Sequence, residues 1–160
     1  MKNISKKEIA DILPLTPLQE GMLFFYLKDP STSLYHEQLV LELKGPFDPG
    51  TFERALQWVI DQNPMLRVFF RWQKMKEPVA LVLKSVRPAI YFHDLTNRTQ
   101  TQAGDGLDRI IKEDREEKFD LSRVPFRVTL VQMDQNRIHM IITHHHILYD
   151  GWSTGIVLKE

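Results

Sequence analysis

Three consecutive histidines, His144, His145 and His146, are the residues of this sequence best suited to chemistry. Imidazole exchanges protons near neutral pH, which makes it the usual general base or acid of a protein site. The histidines follow an apolar stretch, and Asp150 and Gly151 come soon afterwards. This order predicts a strand that ends at the histidines, then a turn and a helix start. At such a strand end, the imidazole side chains would be exposed to a cleft while the strand pairing fixes their main chain.

Three interpretations of the histidines are open on residue chemistry alone. They are surface or core side chains satisfied by hydrogen bonds, or part of a metal site completed by Asp150, or a general base or positioning group for acyl transfer. Side chains alternate along a strand, so His144 and His146 would share one face and His145 the other. At most two of them could converge on a metal, and we predict no metal site.

The composition narrows the class of protein. The 160 residues include 21 Lys and Arg and 21 Asp and Glu, so the formal net charge is zero. That balance does not favour a nucleic-acid partner or an anionic membrane. The lack of cysteine excludes disulfides, thiolate zinc sites and a thiol nucleophile. With no stretch approaching the ~20 apolar residues of a membrane span and no signal peptide, we expect a cytoplasmic protein.

Hydrophobic periodicity predicts an α+β fold with a central mixed β-sheet and flanking helices. A capping-box pattern at Ser5 and Glu8 predicts a first helix, and Thr16 with Gln19 predicts the start of a second. Residues 97–105 are predicted as a loop before a helix over about 106–118. The last helix is predicted to begin near Ser153. Because the sequence stops inside it, we expect the chain to be a fragment of a longer protein.

Residues 145–151 read HHILYDG, which matches the HHxxxDG signature of condensation domains in nonribosomal peptide synthetases. Three further stretches resemble conserved blocks of that family in order and spacing: LTPLQEGMLF at 15–24, LRVFF at 66–70 and FDLSRVPFR at 119–127. The second block departs from the family, because Gln62 and Asn63 stand where Arg-His is usual. The resemblance implies that residues 1–160 form the N-terminal lobe of a chloramphenicol-acetyltransferase-like fold about three times longer.

The resemblance also implies a role for each site residue. His146 would be catalytic, either taking a proton from the attacking amine or holding that amine in attack geometry. His145 would be structural and point into the fold. Asp150 would support the active-site loop by pairing with Arg67, and Gly151 would allow a close backbone approach or a tight turn.

Donor and acceptor would arrive as thioesters on the 4′-phosphopantetheine arms of upstream and downstream peptidyl carrier proteins. We predict no cofactor bound covalently to the chain itself. Residues 1–27 include a stretch, 16–24, that resembles an acceptor docking segment, which receives a helix from an upstream synthetase subunit. The residues implied in that docking are Thr16, Pro17, Leu18, Gln19, Glu20, Gly21, Met22, Leu23 and Phe24.

Alternatives to a condensation catalyst also follow from the sequence. The chain could be a docking module for an upstream subunit, or part of an epimerisation domain or a coenzyme A-dependent acyltransferase of the same superfamily. The family's substrate tunnel lies between two lobes, and this sequence supplies one of them. We therefore expect the isolated 160-residue chain to form no amide bonds.

Overall fold

A computed structural model describes residues 5–29 and 31–160 of the protein. Residues 1–4, at the start of the predicted 1–27 docking segment, lie outside that description. The strands and helices follow one another as β1 Ile9–Pro14, α1 Pro17–Lys28, β2 His36–Lys44, α2 Pro49–Gln62, β3 Val68–Arg71, β4 Val79–Leu83, β5 Ile90–Asp94, α3 Gln100–Glu116, β6 Phe126–Asp134, β7 Arg137–His145 and α4 Gly151–Lys159.

The strands form two sheets. The first has the order β1-β4-β3 and is antiparallel throughout. The second has the order β2-β7-β6-β5, with two antiparallel pairs and a parallel pairing of β5 with β6. The expected mixed sheet is therefore present, and the β6–β7 hairpin turns at residues 134–136.

The predicted first helix is wrong. The capping box of Ser5 and Glu8 does form, but it closes only a single 3-10 turn over Lys6–Glu8. The next residues, Ile9–Pro14, pair antiparallel with β4 instead. The local capping pattern and the apolar spacing are compatible with a short helix. Pairing with the edge of β4 makes these residues a strand instead, because tertiary contacts override local propensity.

The helix α3 begins earlier than the sequence predicts, because the polar stretch before residue 106 is helical from Gln100. Thr99 accepts a hydrogen bond from the amide of Gln102, and the Gln102 side chain accepts one from the amide of Thr99. This capping box starts the helix despite two internal glycines. One of them, Gly106, packs so closely on Leu95 that an added Cβ would lie 3.2 Å from a methyl carbon of Leu95.

The second sheet separates two apolar clusters, because successive side chains of β6 and β7 point to opposite faces. Val128, Leu130 and Ile142 join the main core, which also contains residues of the first sheet and of α1, α2 and α4. Val131 and Ile141 pack on Ile110 of α3 on the other face. The histidine-bearing end of β7 is thus supported on both faces.

A buried ion pair, absent from the sequence predictions, joins α3 to the second sheet. Nε of Arg127 lies 3.0 Å from Oδ1 of Asp114, and both side chains are buried. The hydroxyl of Thr129 donates to Oδ1 of Asp114 (3.0 Å), and the hydroxyl of Thr143 donates to Oδ2. The amide of Gln38 also donates to Oδ2, at 2.9 Å. Each carboxylate oxygen is therefore satisfied from the strands, as burial of a charge requires.

Arg127 is satisfied as fully as its partner. Its guanidinium donates to the carbonyls of Asp114 and Glu117 and lies over the ring of Phe119, 4.3 Å from the ring centre. Burial alone would raise the pKa of Asp114, but hydrogen bonds from Thr143 and Gln38 and the charge of Arg127 outweigh it and hold the pKa below its ordinary value.

No helix within residues 5–29 and 31–160 has the length and apolar character needed to cross a membrane.

Candidate active site at the end of β7

His145 is the last residue of β7 and lies in the core with 2% of its surface exposed. Its ring is surrounded by those of Tyr26, Tyr35 and His36, with centroid distances of 6.5, 6.0 and 5.7 Å. Nδ1 accepts a hydrogen bond from the amide of Ile147 (3.1 Å), which places the ring proton on Nε2. Burial, with the nearby histidines, lowers the pKa of His145 to about 3, so the ring is neutral.

His144 is also buried, but its partner is Tyr149. The two rings stack with centroids 4.0 Å apart, and the phenol oxygen lies 3.2 Å from Nδ1 of His144. Burial, with the nearby His146, lowers the pKa of His144 to about 4, and burial raises that of the Tyr149 phenol. Tyr149 thus belongs to the core behind the site.

His146 differs from both neighbours because its side chain is 26% exposed. It lines a pocket of about 260 Å³ together with Thr16, Leu18, Gln19, Met22, Met65, Ile147, Leu148, Tyr149, Asp150 and Ser153. Within the described residues its Nδ1 has no hydrogen-bond partner, and the nearest carboxylate oxygen, Oε1 of Glu37, is 3.7 Å away. His146 is therefore the imidazole of the three that can meet a substrate.

The backbone of His146 is fixed even though its ring is not. Its amide donates to the carbonyl of Tyr35 at 2.8 Å, one residue before β2 begins. Tyr35 adopts a positive φ of 68°, which is uncommon for a non-glycine residue and turns its carbonyl toward β7. No sequence pattern pointed to Tyr35, because its contribution is a main-chain carbonyl.

The predicted pair of Arg67 and Asp150 does not form in the structure. Arg67 ends a 3-10 turn and donates to the carbonyls of Leu83 (3.2 Å) and Lys84 (2.7 Å) at the end of β4. Asp150 lies at the N-terminus of α4, where its carboxylate accepts from the amide and hydroxyl of Ser153, each at 3.0 Å. These hydrogen bonds hold the pKa of Asp150 below its ordinary value. Asp150 therefore supports the loop as a helix cap.

Gly151 is the first residue of α4 and has no positive φ, so the predicted tight turn does not require glycine here. An added Cβ would meet no atom within 4 Å. The space beside Gly151 is open within the described chain, so the expected close approach by a substrate arm stays a prediction.

The predicted docking stretch is divided by the fold of α1. Met22 and Leu23 are buried in the core and present almost no surface to a partner. Leu18 and Phe24 are 66% and 61% exposed, and both lie on the surface of α1. Thr16 caps this helix, with Pro17 at its first position, while Glu20 and Gly21 are exposed.

Side-chain alternation along β7 sends the rings of His144 and His145 to different neighbours. Within residues 5–29 and 31–160, no group of three or more His, Cys, Asp or Glu side chains is arranged to hold a metal ion. The ring of His144 stacks on Tyr149, whereas that of His145 lies beside Tyr35. The carboxylate of Asp150 accepts a hydrogen bond from the amide of Ser153. The geometry is that of one accessible imidazole supported by two buried ones.

Known proteins resemble this chain over almost all its length. It is 36% identical over 157 residues to bacitracin synthase 3 of Bacillus licheniformis, covering 97% of this chain and 2% of that protein. It is 32% identical to surfactin synthase subunit 3 of Bacillus subtilis strain 168, of which it covers 13%. The chain thus spans a small part of the relatives that it matches.

Solved structures share the fold. A four-domain nonribosomal peptide synthetase bound to AMP and glycine matches with a TM-score of 0.83 at 23% identity, over 99% of this chain and 12% of that one. The starter condensation domain of rhizomide synthetase matches with a TM-score of 0.82 at 19% identity, over 93% and 37%. The family model described as "Condensation domain" matches residues 9–160. This chain therefore belongs to the condensation domain family of nonribosomal peptide synthetases.

Proposed function

We propose that this chain is the histidine-bearing lobe of a domain that forms amide bonds between two carrier-bound substrates. The observation that carries the proposal is the placement of His146. It follows a strand end held on both faces, its backbone is fixed by Tyr35, and its partly exposed ring lines the pocket beside α1 and α4. An imidazole whose main chain is fixed and whose ring has no hydrogen-bond partner on Nδ1 suits proton exchange in an acyl-transfer reaction.

The reaction joins a donor acyl or peptidyl thioester to the amine of an acceptor aminoacyl thioester, each on the 4′-phosphopantetheine of a carrier protein. The amine nitrogen forms the new C–N bond, the donor C–S bond breaks, and the proton lost by the amine neutralises the departing thiolate. His146 either accepts that proton in transit or holds the amine against the donor carbonyl. The buried rings of His144 and His145 keep the strand end rigid behind it.

The decisive experiment replaces His146 with Ala in a full-length condensation domain carrying this sequence. Amide formation from carrier-bound substrates should fall about 10²-fold or more, the usual contribution of a positioned general base. His93→Ala, at an exposed residue of β5, is the control and should retain the parent rate. Circular dichroism should show both variants folded. Parent-level turnover by His146→Ala would refute the assignment, as would epimerisation of a carrier-bound residue without amide formation.

We infer that the 160-residue chain alone does not catalyse the reaction. It spans 33% to 37% of the solved starter condensation domain chains that it matches, so most of the residues that could enclose the two pantetheine arms lie elsewhere. Peptide formation by the isolated chain, followed by mass spectrometry of the carrier-bound product, would contradict this inference.

A second candidate function is docking, favoured by the exposed apolar residues of α1. Leu18 and Phe24, with Phe25 and Leu27, leave the surface of this helix apolar. The occupant that we propose is an amphipathic helix from an upstream synthetase subunit, which would cover such a surface. Phe24→Asp should then weaken transfer from an upstream subunit supplied in trans and leave condensation of a tethered donor unchanged. Equal loss in both assays would contradict docking.

A further inference from the structure

The side chain of Gln19 links the start of α1 to the main chain beside His146. Its Nε2 donates to the carbonyl of Ile147 at 3.0 Å, and its Oε1 accepts from the amide of Thr16 at 3.0 Å. Because one partner is a donor and the other an acceptor, the two contacts fix the orientation of the amide. The link joins residues 128 positions apart and is partly buried.

The orientation of the His146 ring depends on the position of its main chain. Within the described residues its Nδ1 has no hydrogen-bond partner, and Oε1 of Glu37 at 3.7 Å is too distant to hold it. A ring with no side-chain partner takes its direction from the torsion angles of its own residue and from the peptides on either side. Fixing those peptides is therefore the available way to orient it.

Contacts from three parts of the fold hold those two peptides and the one that follows them. On the N-terminal side, the amide of His146 donates to Tyr35. On the C-terminal side, the amide of Ile147 donates to the ring of His145. The next peptide, between Ile147 and Leu148, is held by Gln19 through the carbonyl of Ile147. The first two contacts come from the residue before β2 and from β7 itself. The third is the contact that ties the segment to α1.

We propose that Gln19 is a positioning residue, which sets the orientation of the His146 ring through the carbonyl of Ile147. This inference rests on the proposed function, because it concerns the same histidine. Gln19 need not touch either substrate for this role. It ties the N-terminus of α1 to the segment that follows His146. Loss of the contact leaves the peptide between Ile147 and Leu148 without this tie to α1.

The substitution Gln19→Glu separates this role from helix capping. Glutamate at this position of a capping box still accepts from the amide of Thr16, as Gln19 does through Oε1. It cannot donate to the carbonyl of Ile147 when ionised, and it places a negative charge against that oxygen. The variant therefore keeps the start of α1 and breaks the contact with the active-site segment.

The chain contains a matched control at the start of α3. Gln102 occupies the same place in the capping box of Thr99, with its Oε1 3.2 Å from the amide of Thr99. It is exposed. Gln102→Glu makes the same chemical change in the same local motif without touching the histidine segment. Any effect of a charged capping residue on helix stability appears in both variants, and an effect on positioning appears only in Gln19→Glu.

The test measures kcat and KM for amide formation in the full-length domain, with the melting temperature of each variant. We expect Gln19→Glu to lower kcat about 10- to 100-fold with KM for the acceptor carrier nearly unchanged, because displacement of a catalytic group by about 1 Å costs as much. Gln102→Glu should keep the parent kcat. Spectra of 15N-labelled histidine should show the His146 ring signals shifted or broadened in Gln19→Glu alone.

Three outcomes would overturn the inference. One is a parent kcat in Gln19→Glu, and another is an equal loss in Gln102→Glu. A higher KM with unchanged kcat would assign Gln19 to carrier docking instead. If His146→Ala keeps the parent rate, the proposed function fails first. If His146→Ala is inactive and Gln19→Glu is unaffected, only the positioning role fails.

Discussion

Oε1 of Glu37 lies 3.7 Å from Nδ1 of His146, across the pairing of β2 with β7 that sets Glu37 opposite His144. The separation exceeds the 2.6–3.2 Å at which a carboxylate orients a catalytic imidazole by hydrogen bonding. Glu37 is also 55% exposed, so water screens its charge. Glu37 and His146 are the residue types of a carboxylate–histidine dyad, but the hydrogen bond that defines such a dyad is not formed.

The substitution Glu37→Gln should therefore change little. We expect the rate of amide formation to stay within about threefold of the parent, because a screened carboxylate beyond hydrogen-bond distance contributes little. The measurement is kcat under saturating carrier-bound substrates at low and at moderate salt. A fall approaching that of His146→Ala would show that Glu37 holds the ring in the working domain.

Arg67 and Asp150 should act independently. Because they contact different parts of the chain, the losses in melting temperature of Arg67→Ala and Asp150→Ala should add in the double variant. Asp150→Asn should retain most of the stability that Asp150→Ala loses, since Asn also caps helices well. A double variant no less stable than the worse single variant would reveal coupling and restore the predicted pair.

The buried His145 should make the fold sensitive to mild acid. Burial lowers the pKa of His145 from 6.5 to about 3. Between these two pH values, the unfolded chain binds a proton at this residue and the folded chain does not. The free energy of unfolding should therefore fall on the order of 1 kcal/mol from this group between pH 7.5 and 5.5, measured by urea denaturation.

A variant of the same residue isolates that contribution. In His145→Asn, the side-chain oxygen can still accept from the amide of Ile147, but the side chain cannot take up a proton. We expect a lower stability at pH 7.5 and a shallower dependence on pH than in the parent. An unchanged slope would mean that another group carries the acid sensitivity.

Asp114→Asn should be among the most damaging conservative changes in this chain. It removes the buried counter-charge of Arg127 and leaves only the exposed carboxylate of Glu117, 3.8 Å from Nε. Breaking a buried pair in this way costs about 3–5 kcal/mol. Asp108→Asn, on the exposed side of the same helix, should have almost no effect. Comparable losses in the two variants, measured by urea denaturation at pH 7.5, would contradict the assignment.

The effect of Asp114 on stability should begin at a lower pH than that of His145, which begins near pH 6.5. Because the pKa of Asp114 is held below its ordinary value of 3.8, its stabilisation is complete above that value and is lost as the pH falls through the lower folded pKa. Acid unfolding of the parent should therefore include a component below pH 4 that is absent in Asp114→Asn.

The sequence predicted the parts of the fold that are set locally or by strong periodicity. The strand that ends in histidine and the helix after Asp150 follow from an apolar run and the turn residues behind it. The identity of β1 did not follow, because the edge of β4 that it pairs with is about 70 residues away in sequence. The early start of α3 could have been read from Thr99 and Gln102, which form a capping box.

The candidate site divides in the same way. The choice of His146 came from a seven-residue signature that the sequence displays directly. The partners of Asp150 and Arg67 depend on where α4 begins and where β4 ends, which are tertiary facts. The contributions of Tyr35 and of Ile147 are main-chain carbonyls, and a carbonyl has no residue type for a pattern to detect.

The hydrogen-bonded group around Asp114 has a consequence for recombining synthetases. Its members come from α3, β2, β6 and β7, and all of them meet at the one carboxylate. A chimera that draws these segments from different parents can inherit an arginine without its carboxylate. Crossover points that fall between β2 and β7 should therefore be chosen only where both parents carry the same five residues, Gln38, Asp114, Arg127, Thr129 and Thr143.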